Sequence, residues 1–568
     1  MPEHSDNLIL TGMMATGKST VGRLVAAATG RAFVDLDERI AAAAGRSVAE
    51  IFAAEGEDGF RRRERDAVAE LAGIGAQVVA TGGWTVGDPE NRALLESLGT
   101  LMCLSATPAE LVRRLAAGAH ERRPMLGADA RDARFIELLD QRRLVYASIP
   151  RQVESTGVQP ARVAELVIEL VTALEGLTLR AVPVDDPIGD SRGAYSMLIG
   201  AGILDRAGTV LAARGLGGRR ALIVSDRNVA PLYAARLQAS LAQAGMDPSV
   251  SVMGDGEVAK SLDTVAALYE AFLAAGLDRG GLVVALGGGV VGDTAGFAAA
   301  SYLRGVDLVV VPTSLLAMAD AAIGGKTGVN LPQGKNLVGA FKNPRLVLAD
   351  PSVLATLPAA VLVEGLGEVV KAAIVGDPAL FNSLSSVGAP AVGDCAAWTD
   401  LIARAAAVKA AIVGEDPTEQ GHRMWLNLGH TFAHALERAA DYRVSHGNAV
   451  AVGLVASARL AVRLGLAERG LVGEIVGVLR GLGLPTGLGP DRGPRAPDAL
   501  LRAMAVDKKR HAGGLRFVLP RAIGRVEVVA GVPEEAVRAV LDDLVAGVTV
   551  LDDLVAGVTD NPAAIDPI

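Results

Sequence analysis

Four of the seven histidines, His422, His430, His434 and His446, fall within 25 residues, and clustered imidazoles at helical spacing are common ligands for a transition metal. In HRMWLNLGHTFAHALE, Arg423, Asn427, His430 and His434 are spaced four, three and four, which predicts one polar stripe along a helix whose other positions are mostly apolar. Such a stripe is costly in a core unless it faces a polar site. His430 and His434, at i and i+4, could both ligate zinc. In LVEGLGEVVKAAI, Glu368 and Lys371 are three apart, and so offer a carboxylate and an ammonium from one helical face.

The N-terminal stretch offers a second chemistry. Leu8 to Thr11 predicts a short strand, and GMMATGKST after it has Gly, four residues, Gly, Lys and Ser, the pattern of a phosphate cradle. There Gly12, Ala15, Thr16, Gly17, Lys18, Ser19 and Thr20 would form a loop of N–H donors at a helix N-terminus. Lys18 would reach the β and γ phosphates of ATP, and the Ser19 hydroxyl would ligate Mg²⁺. AFVDLDERI then places Asp35 and Asp37 at the end of a second strand, on one side by the two-residue period. The pair reads either as a general base with a metal-sphere neighbour or as a helix N-cap.

A third chemistry lies in residues 282 to 342. The apolar run Leu282 to Leu286 feeds into Gly287, Gly288, Gly289, Val290, Val291, Gly292 and Asp293, and an apolar strand ending in a glycine turn exposes backbone N–H groups to a pyrophosphate. A second buried strand, Val306 to Pro312, ends in Thr313 and Ser314. The segment from Asp320 to Asn336 then carries Lys326, Lys335 and Asn336 among glycines. Three polar, glycine-marked strand ends in sixty residues suggest one nucleotide-sized anionic crevice. Upstream, MGDGEVAK holds Asp255, Glu257 and Lys260 after another strand, where a carboxylate suits a ribose hydroxyl pair.

These residues need elements to hold them. The length of 568 residues suggests three or four domains. Residues 1 to 174 alternate strand and helix signals around the phosphate loop. EGLTLRAVPVDDPIGDSRG then mixes Pro, Gly and Asp and reads as a short linker plus a first strand, over 175 to 192. Strand-like and helix-like runs alternate again to about 355, a nucleotide-binding α/β half counted from 181, and after Pro358 helical periodicity dominates to about 510. The expectation is an α/β chain: a P-loop domain of parallel sheet and flanking helices, then a Rossmann-like subdomain, then an all-α metal-binding subdomain over 356 to 548. The tail, 549 to 568, contains the second copy of a near-duplicated decapeptide, LDDLVAGVTV at 541 to 550 and LDDLVAGVTD at 551 to 560, for which no function is expected because two copies do not make a solenoid.

Composition narrows the class. The net charge of −9 argues against nucleic acid as a partner. Half of the residues are hydrophobic and the mean hydropathy is +0.35, yet no charge-free apolar run is long enough to span a bilayer. MPEHSDNLIL lacks a basic region followed by an apolar core, so no secretory signal is expected. Two distant cysteines, Cys103 and Cys395, form no disulfide framework and suit a cytoplasmic protein.

GGGVVGDTAGF, YLRGV, VPTSLLAMADAAIGGKTGVN and GKNLVGAF, in this order and spacing, closely resemble 3-dehydroquinate synthase, of the sugar phosphate cyclase group. The resemblance implies NAD-dependent and zinc-dependent conversion of 3-deoxy-D-arabino-heptulosonate 7-phosphate to 3-dehydroquinate and phosphate, with Co²⁺ as a possible substitute metal. It assigns Glu368, His430 and His446 as metal ligands and leaves His434 for substrate. Asp320, Lys326, Lys335, Asn336, Lys371, Lys409, Arg423, Asn427 and a lysine at Lys508 or Lys509 complete its polar set, and Asp255, Glu257, Lys260 and the glycine turn its cofactor contacts. A homodimer through this enzyme is the family expectation. Departures are ADAAIGG after Met318, Gly367 before the metal glutamate, and GEDPTE.

FRRRE with Arg61, QVVA leading to TGGW, ERRPML with Arg123 and QRRLVY with Arg142 resemble shikimate kinase over about residues 5 to 174. By that resemblance Asp37, Arg61, Gly82, Gly83 and Arg142 hold shikimate, Asp37 is the base, and Arg123 is a lid arginine on the phosphates. Trp84 stands where the family has a third glycine, and an indole there either reshapes or blocks the acceptor pocket. The rival readings are another cyclase or a polyol dehydrogenase in the C-terminal half, with a non-catalytic nucleotide-binding module in the N-terminal half.

Overall fold

The computed structural model describes residues 7–117, 131–186, 193–419, 421–441, 443–488, 497–508 and 516–546. They belong to two compact units, one made of Met1–Pro312 and Gly325–Asp350, the other of Thr313–Gly324 and Pro351–Ile568.

The first unit holds two sheets. In the first, β1 (Asn7–Thr11), β2 (Ala32–Asp35), β3 (Gln77–Ala80), β4 (Gly99–Ser105) and β5 (Gln152–Glu154) are ordered β2-β3-β1-β4-β5, and every pairing is parallel. Every residue of β1 is buried, as a central parallel strand covered by helices on both faces requires. The helix Lys18–Thr29 leaves the end of that strand through the phosphate loop. After the helix Pro160–Ala173 the chain enters the second sheet at β6 (Arg180–Asp185), so the expected short linker carries the first strand.

The second sheet contains β6, β7 (Ala194–Ile199), β8 (Arg220–Asp226), β9 (Asp247–Met253), β10 (Leu282–Gly287) and β11 (Asp307–Pro312). A hairpin, β12 (Lys326–Leu331) and β13 (Gly334–Phe341), precedes the last strand, β14 (Leu346–Ala349). The order is β6-β7-β14-β11-β10-β8-β9. Only the edge strand β6 runs antiparallel to its neighbour. Gly287 pairs with Pro312 across β10 and β11, so these two adjacent strands end side by side, where parallel α/β sheets bind ligands.

The second unit is mainly helical. The helix His446–Arg463 packs against Ala359–Gly376, His430–Ala439, Gly470–Gly481 and Glu534–Ala546. Glycines set two of these approaches: a Cβ on Gly367 would lie 2.5 Å from the Gly447 carbonyl oxygen, and one on Gly453 2.2 Å from that of Gly429. Side chains at these positions would separate the helices, which explains Gly367 as a packing residue.

Two expectations need correction. Arg423, Asn427, His430 and His434 do not share one helix: a 3₁₀ turn covers His422–Asn427, Gly429 takes φ 80°, and a new α-helix begins at His430. The helical half is not all-α, because β15 (Arg516–Ala522) and β16 (Arg525–Ala530) form an antiparallel hairpin. The helix Glu534–Ala546 includes the start of the first decapeptide; the rest of the duplication lies outside the described residues. No helix among the described residues is long and apolar enough to cross a membrane.

Candidate active sites

Glu368, on the helix Ala359–Gly376, meets His430 and His446, the first residues of the helices His430–Ala439 and His446–Arg463. One ligand atom from each lies within 4.8 Å of the others. His446 Nε2 is 3.2 Å and His430 Nε2 3.5 Å from Glu368 Oε1. The far side of each ring has an acceptor: Leu428 O is 3.2 Å from His430 Nδ1, and Glu437 Oε2 is 3.5 Å from His446 Nδ1. Protons on Nδ1 would satisfy both acceptors and turn both Nε2 atoms toward Glu368, where a metal would take the place of any proton on His446 Nε2. Two imidazoles and one carboxylate are a suitable donor set for a catalytic zinc with open positions, so the residues fit the implied metal. His434 lies one turn along, its ring 5.4 Å from that of His430, outside the convergent three.

The electrostatics agree with a cation here. Burial pushes His430 down to about 3, so its ring stays neutral. Burial works against charge on His446 too, but Glu368 and Glu437 outweigh it and push that imidazole up to about 10. Positive charge is thus favoured between two carboxylates that are themselves buried. Glu437 was not anticipated, although it stands at i+7 from His430 in the motif quoted above and hence on the same helical face.

A chain of paired charges continues from the ligands. Lys371 Nζ pairs closely with Glu368 Oε2 and lies 3.3 Å from Asp320 Oδ1. Lys409 Nζ is 2.9 Å from Asp320 Oδ2 and donates to the Asp320 carbonyl at 2.8 Å. Asp320 sits in the short π-helical turn Ala317–Ala321. Burial opposes its charge, but Lys371 and Lys409 hold its carboxyl down at about 2. Against burial, Lys371 and the two histidines likewise hold Glu368 well below the usual carboxylate range. Arg423 is buried, its Nη1 donating to Pro417 O at 2.6 Å and its Nη2 to Gly324 O at 2.8 Å. Asn427 donates to Glu419 Oε1 at 3.3 Å. Thr313 is buried and Ser314 Oγ accepts from Ala317 N at 3.3 Å. Lys508 ends the helix Pro497–Lys508, and Lys509 lies outside the described residues.

In the first unit, β10 delivers Gly288 to the N-cap of the helix Gly289–Ser301, which carries Val290, Val291, Gly292 and Asp293. A Cβ on Gly292 would meet nothing within 4 Å, so open space adjoins the helix's first turn, whose N–H groups have no intrahelical acceptor. A helix N-terminus after a central buried strand fits the pyrophosphate of a dinucleotide. Lys260, buried, pairs closely with Asp293. Glu257 Oε1 accepts from Asn330 Nδ2 at 2.7 Å, Asn330 Oδ1 accepts from Asn336 N at 2.9 Å, and Asp255 Oδ2 accepts from Asn228 Nδ2 at 3.3 Å. The predicted turn is therefore tied to the β12–β13 hairpin, which also carries Lys326 and Lys335.

The phosphate loop folds as its pattern requires. Gly12 takes φ 137°, and a Cβ there would lie 2.2 Å from Leu104 O. Gly17 takes φ 95° as the N-cap of the helix that Lys18, Ser19 and Thr20 begin. Lys18 Nζ donates to Gly12 O at 2.9 Å and Met13 O at 3.2 Å, which aims the ammonium across the loop, and Thr16 Oγ1 donates to Met13 O at 2.8 Å. Ala15 occupies the left-handed region at φ 67°. A cavity of about 360 Å³ lined by Met13, Thr16, Cys103, Tyr146, Tyr195 and Lys342 lies behind this loop; of the predicted site residues only Thr16 borders it.

Asp35 and Asp37 are not two positions of one strand. The strand stops at Asp35, which caps the helix Leu36–Ala44 by accepting from Asp37 N and Glu38 N, and Asp37 lies in that helix's first turn. Asp35 Oδ2 also accepts from Ser19 Oγ at 2.6 Å. Asp37 Oδ1 is buried with no hydrogen-bond partner among the described residues. Burial pushes its carboxyl up to about 6, with Lys18 opposing and Asp35 and Glu64 reinforcing. Arg61 Nη1 is 2.8 Å from the fully buried Glu64, whose Oε1 accepts from Thr85 Oγ1 at 2.6 Å. Gly82 is hemmed in: a Cβ would lie 2.8 Å from Glu64 Oε1 and 3.1 Å from Asp37 Oδ1. Arg142, buried, donates to Gly83 O at 3.5 Å. Arg123 lies outside the described residues.

Comparison with known proteins follows the same division. Residues 14–172 match the family model of shikimate kinase, 250–364 that of the 3-dehydroquinate synthase N-terminal part and 365–510 that of its C-terminal part. A 3-dehydroquinate synthase of Xanthomonas campestris pv. campestris is 46% identical over 375 residues, covering 64% of this chain and 99% of that protein. One from Xylella fastidiosa is 45% identical over 372 residues, with 64% and 98% covered. Among solved structures, ValA, a 2-epi-5-epi-valiolone synthase from Streptomyces hygroscopicus subsp. jinggangensis with NAD⁺ and Zn²⁺ bound, aligns at a TM-score of 0.57 with 34% identity, covering 62% of this chain and 97% of that one.

Proposed function

Since the chain belongs to the 3-dehydroquinate synthase family and carries a shikimate kinase domain before it, we propose how its residues divide the two reactions of a bifunctional shikimate-pathway enzyme. The observation that carries the lyase assignment is the convergence of Glu368, His430 and His446. These three hold the divalent metal, zinc or, in substitution, cobalt, and residues 288 to 293 with Asp255, Glu257 and Lys260 hold NAD. When bound, the metal polarises a substrate oxygen and the nicotinamide accepts and returns a hydride, so that 3-deoxy-D-arabino-heptulosonate 7-phosphate becomes 3-dehydroquinate and phosphate without net redox change.

The chain's own residues orient this chemistry. Lys371 engages the second oxygen of Glu368, leaving Oε1 toward the imidazoles. Glu437 and Leu428 O fix the two rings. Lys371 and Lys409, both tethered to Asp320, present ammonium groups for the substrate's phosphate and carboxylate; Lys326, Lys335, Asn336, Asn427, His434 and Lys508 are proposed as further substrate contacts. Arg423, whose guanidinium is anchored on Gly324 O and Pro417 O, holds the turn at Gly324.

In the kinase, Asp37 takes the proton of the shikimate 3-hydroxyl. The lack of a hydrogen-bond partner at its Oδ1 among the described residues and its raised pKa support this role. Arg61 and Arg142 hold the carboxylate and hydroxyls beside Gly82 and Gly83. Lys18, Ser19 through Mg²⁺, and Arg123 balance the charge of the transferred phosphoryl group. We also propose a cytoplasmic homodimer assembled through the synthase, to be checked by mass in solution and by fractionation. The test of function is to incubate the full chain separately with each substrate set. Phosphate release without NADH accumulation and shikimate-dependent ADP formation are expected. NADH appearing in proportion to turnover would reject the cyclase for a polyol dehydrogenase, and ADP formation indifferent to shikimate would reject the kinase.

A further inference from the structure

The residue that departs from the kinase pattern, Trp84, is built into the acceptor turn rather than inserted against it. Its backbone at φ −132° and ψ 8° is accessible to any side chain. The 3₁₀ turn Thr85–Gly87 follows, closed by Gly87 N donating to Trp84 O at 2.8 Å. The indole folds back over this turn: a Cβ on Gly87 would lie 2.1 Å from Trp84 Cε2 and 2.4 Å from Cδ2. Only glycine at 87 leaves room for the ring in this place.

The ring also lies against Arg142, one of the residues proposed to hold the acceptor. Arg142 Cζ lies 4.8 Å from the indole centre, and Tyr146 donates to the same Gly83 carbonyl that receives Arg142 Nη1. A cation–π contact covers the face of a guanidinium and consumes none of its N–H donors, which all lie in its plane. Such a contact restrains the guanidinium and displaces water from its indole side, while N–H donors turned away from the ring remain available for a carboxylate. The next residue, Thr85, reaches Arg61 through Glu64. One short turn therefore orients both arginines of the acceptor set.

We propose that Trp84 is a positioning residue for the acceptor: braced on Gly87, its indole sets the plane of the Arg142 guanidinium so that its edge meets the carboxylate of shikimate. This rests on the kinase reading above. The test uses the full chain with Trp84→Gly, Trp84→Phe and Gly87→Ala. Trp84→Gly raises the KM for shikimate about tenfold, as the loss of one partly buried cation–π contact predicts, with kcat changed less than about threefold. The KM for ATP and the synthase rate stay constant and report folding. Trp84→Phe recovers most of the loss, and Gly87→Ala, which drives the ring from its seat, reproduces it. Shikimate also perturbs indole fluorescence in the parent and not in Trp84→Phe.

An unchanged or lowered KM in Trp84→Gly overturns the proposal, the second by showing that the indole obstructs the pocket. So does an equal loss of kcat and ATP affinity, which marks a structural role. If Trp84→Gly does not fold, Trp84→Phe against Gly87→Ala decides alone: equal KM values sink it. A parent that binds shikimate with the fluorescence change but makes no ADP would defeat the kinase reading and leave this one standing. Absence of both the change and the turnover defeats both.

Discussion

The acceptor pocket and the metal centre handle buried charge in opposite ways. Around the metal ligands each ionised side chain has a protein counter-charge: Glu368 has Lys371, Asp320 has Lys371 and Lys409, and His446 has Glu437. In the proposed acceptor pocket Arg61 and Glu64 satisfy each other, but Asp37 keeps a buried oxygen with no hydrogen-bond partner among the described residues and a carboxyl pushed up to about 6. The first arrangement holds a geometry in place before any ligand arrives. The second leaves a destabilised carboxylate, which is what the base proposed for the substrate hydroxyl requires, a common exchange of stability for activity.

The largest test of this contrast is at the paired centre. His446→Ala removes a ligand and the anchor between Glu368 and Glu437, so bound zinc is lost and synthase turnover falls by at least about a thousandfold. Metal content by mass spectrometry and phosphate release measure the two losses, and shikimate phosphorylation by the same chain serves as the control. Retention of stoichiometric zinc would show that these residues are not the metal's holders.

Asp37→Asn tests the unpaired side. The kinase rate falls about a hundred- to ten-thousandfold, the share of a general base. In the parent, phosphorylation at saturating ATP declines as pH drops through about 6, where the carboxylate takes up its proton. The sign for stability is opposite to that of a paired carboxylate. The folded value of about 6 exceeds the ordinary 3.8, so folding is penalised above pH 6, the penalty shrinks between 6 and 3.8, and it vanishes below. Asp37→Asn is therefore more stable than the parent at pH 7 by about 1–2 kcal/mol after allowance for partial exposure, with the melting curves converging near pH 4. Equal melting at pH 7 would mean that the carboxylate is not strained.

Local patterns were legible in the sequence and spatial meetings were not. The phosphate loop and the β10 glycine turn are contiguous strand-to-helix corners, so their residues fix their own geometry. Spacing alone predicts one stripe from Arg423 to His434, but Gly429, which fits the helical period, takes φ 80° and restarts the helix. For Asp35 and Asp37 the sequence leaves a strand-end pair and a helix cap both open, since a capping aspartate and a strand terminus share one local pattern; Asp35 is the cap, and Asp37 lies beyond the strand. The helical signal of its neighbours hides the hairpin β15–β16, although RFVLPRAIGRVEVVA carries two strand-like runs around a glycine. The meeting of Glu368 with His446 depends on Gly367 lying against Gly447, a contact between helices some eighty residues apart that no local period encodes; here only family resemblance pointed to the ligands.

Glu437 sharpens the comparison at a smaller scale, because it touches His446 and not the expected metal position. Glu437→Gln keeps the shape and removes the charge, so zinc affinity falls about 10- to 100-fold and activity returns when zinc is added in excess. A competition titration with a chelator measures the shift. Unaltered affinity would mean that the Nδ1 side of His446 does not orient the ring.

The smallest effect is at Ala15, where the phosphate loop of the kinase uses a side-chain-bearing residue at φ 67°. A left-handed conformation costs a non-glycine residue about 1–2 kcal/mol, so glycine would relieve strain, yet glycine also enlarges the unfolded ensemble by about 0.4–1 kcal/mol. The alanine Cβ further packs against the core that contains Ile9, Met13 and Phe135, and that contact is lost on substitution. These terms nearly cancel, and Ala15→Gly shifts kinase stability by less than about 1 kcal/mol in either direction, with the KM for ATP unchanged because the loop's N–H groups keep their directions. Thermal unfolding together with ATP kinetics checks both statements. A clear destabilisation would show that packing of this one methyl group holds the cradle, whereas a clear gain would place stored strain in the kinase's nucleotide loop as well as in its acceptor base.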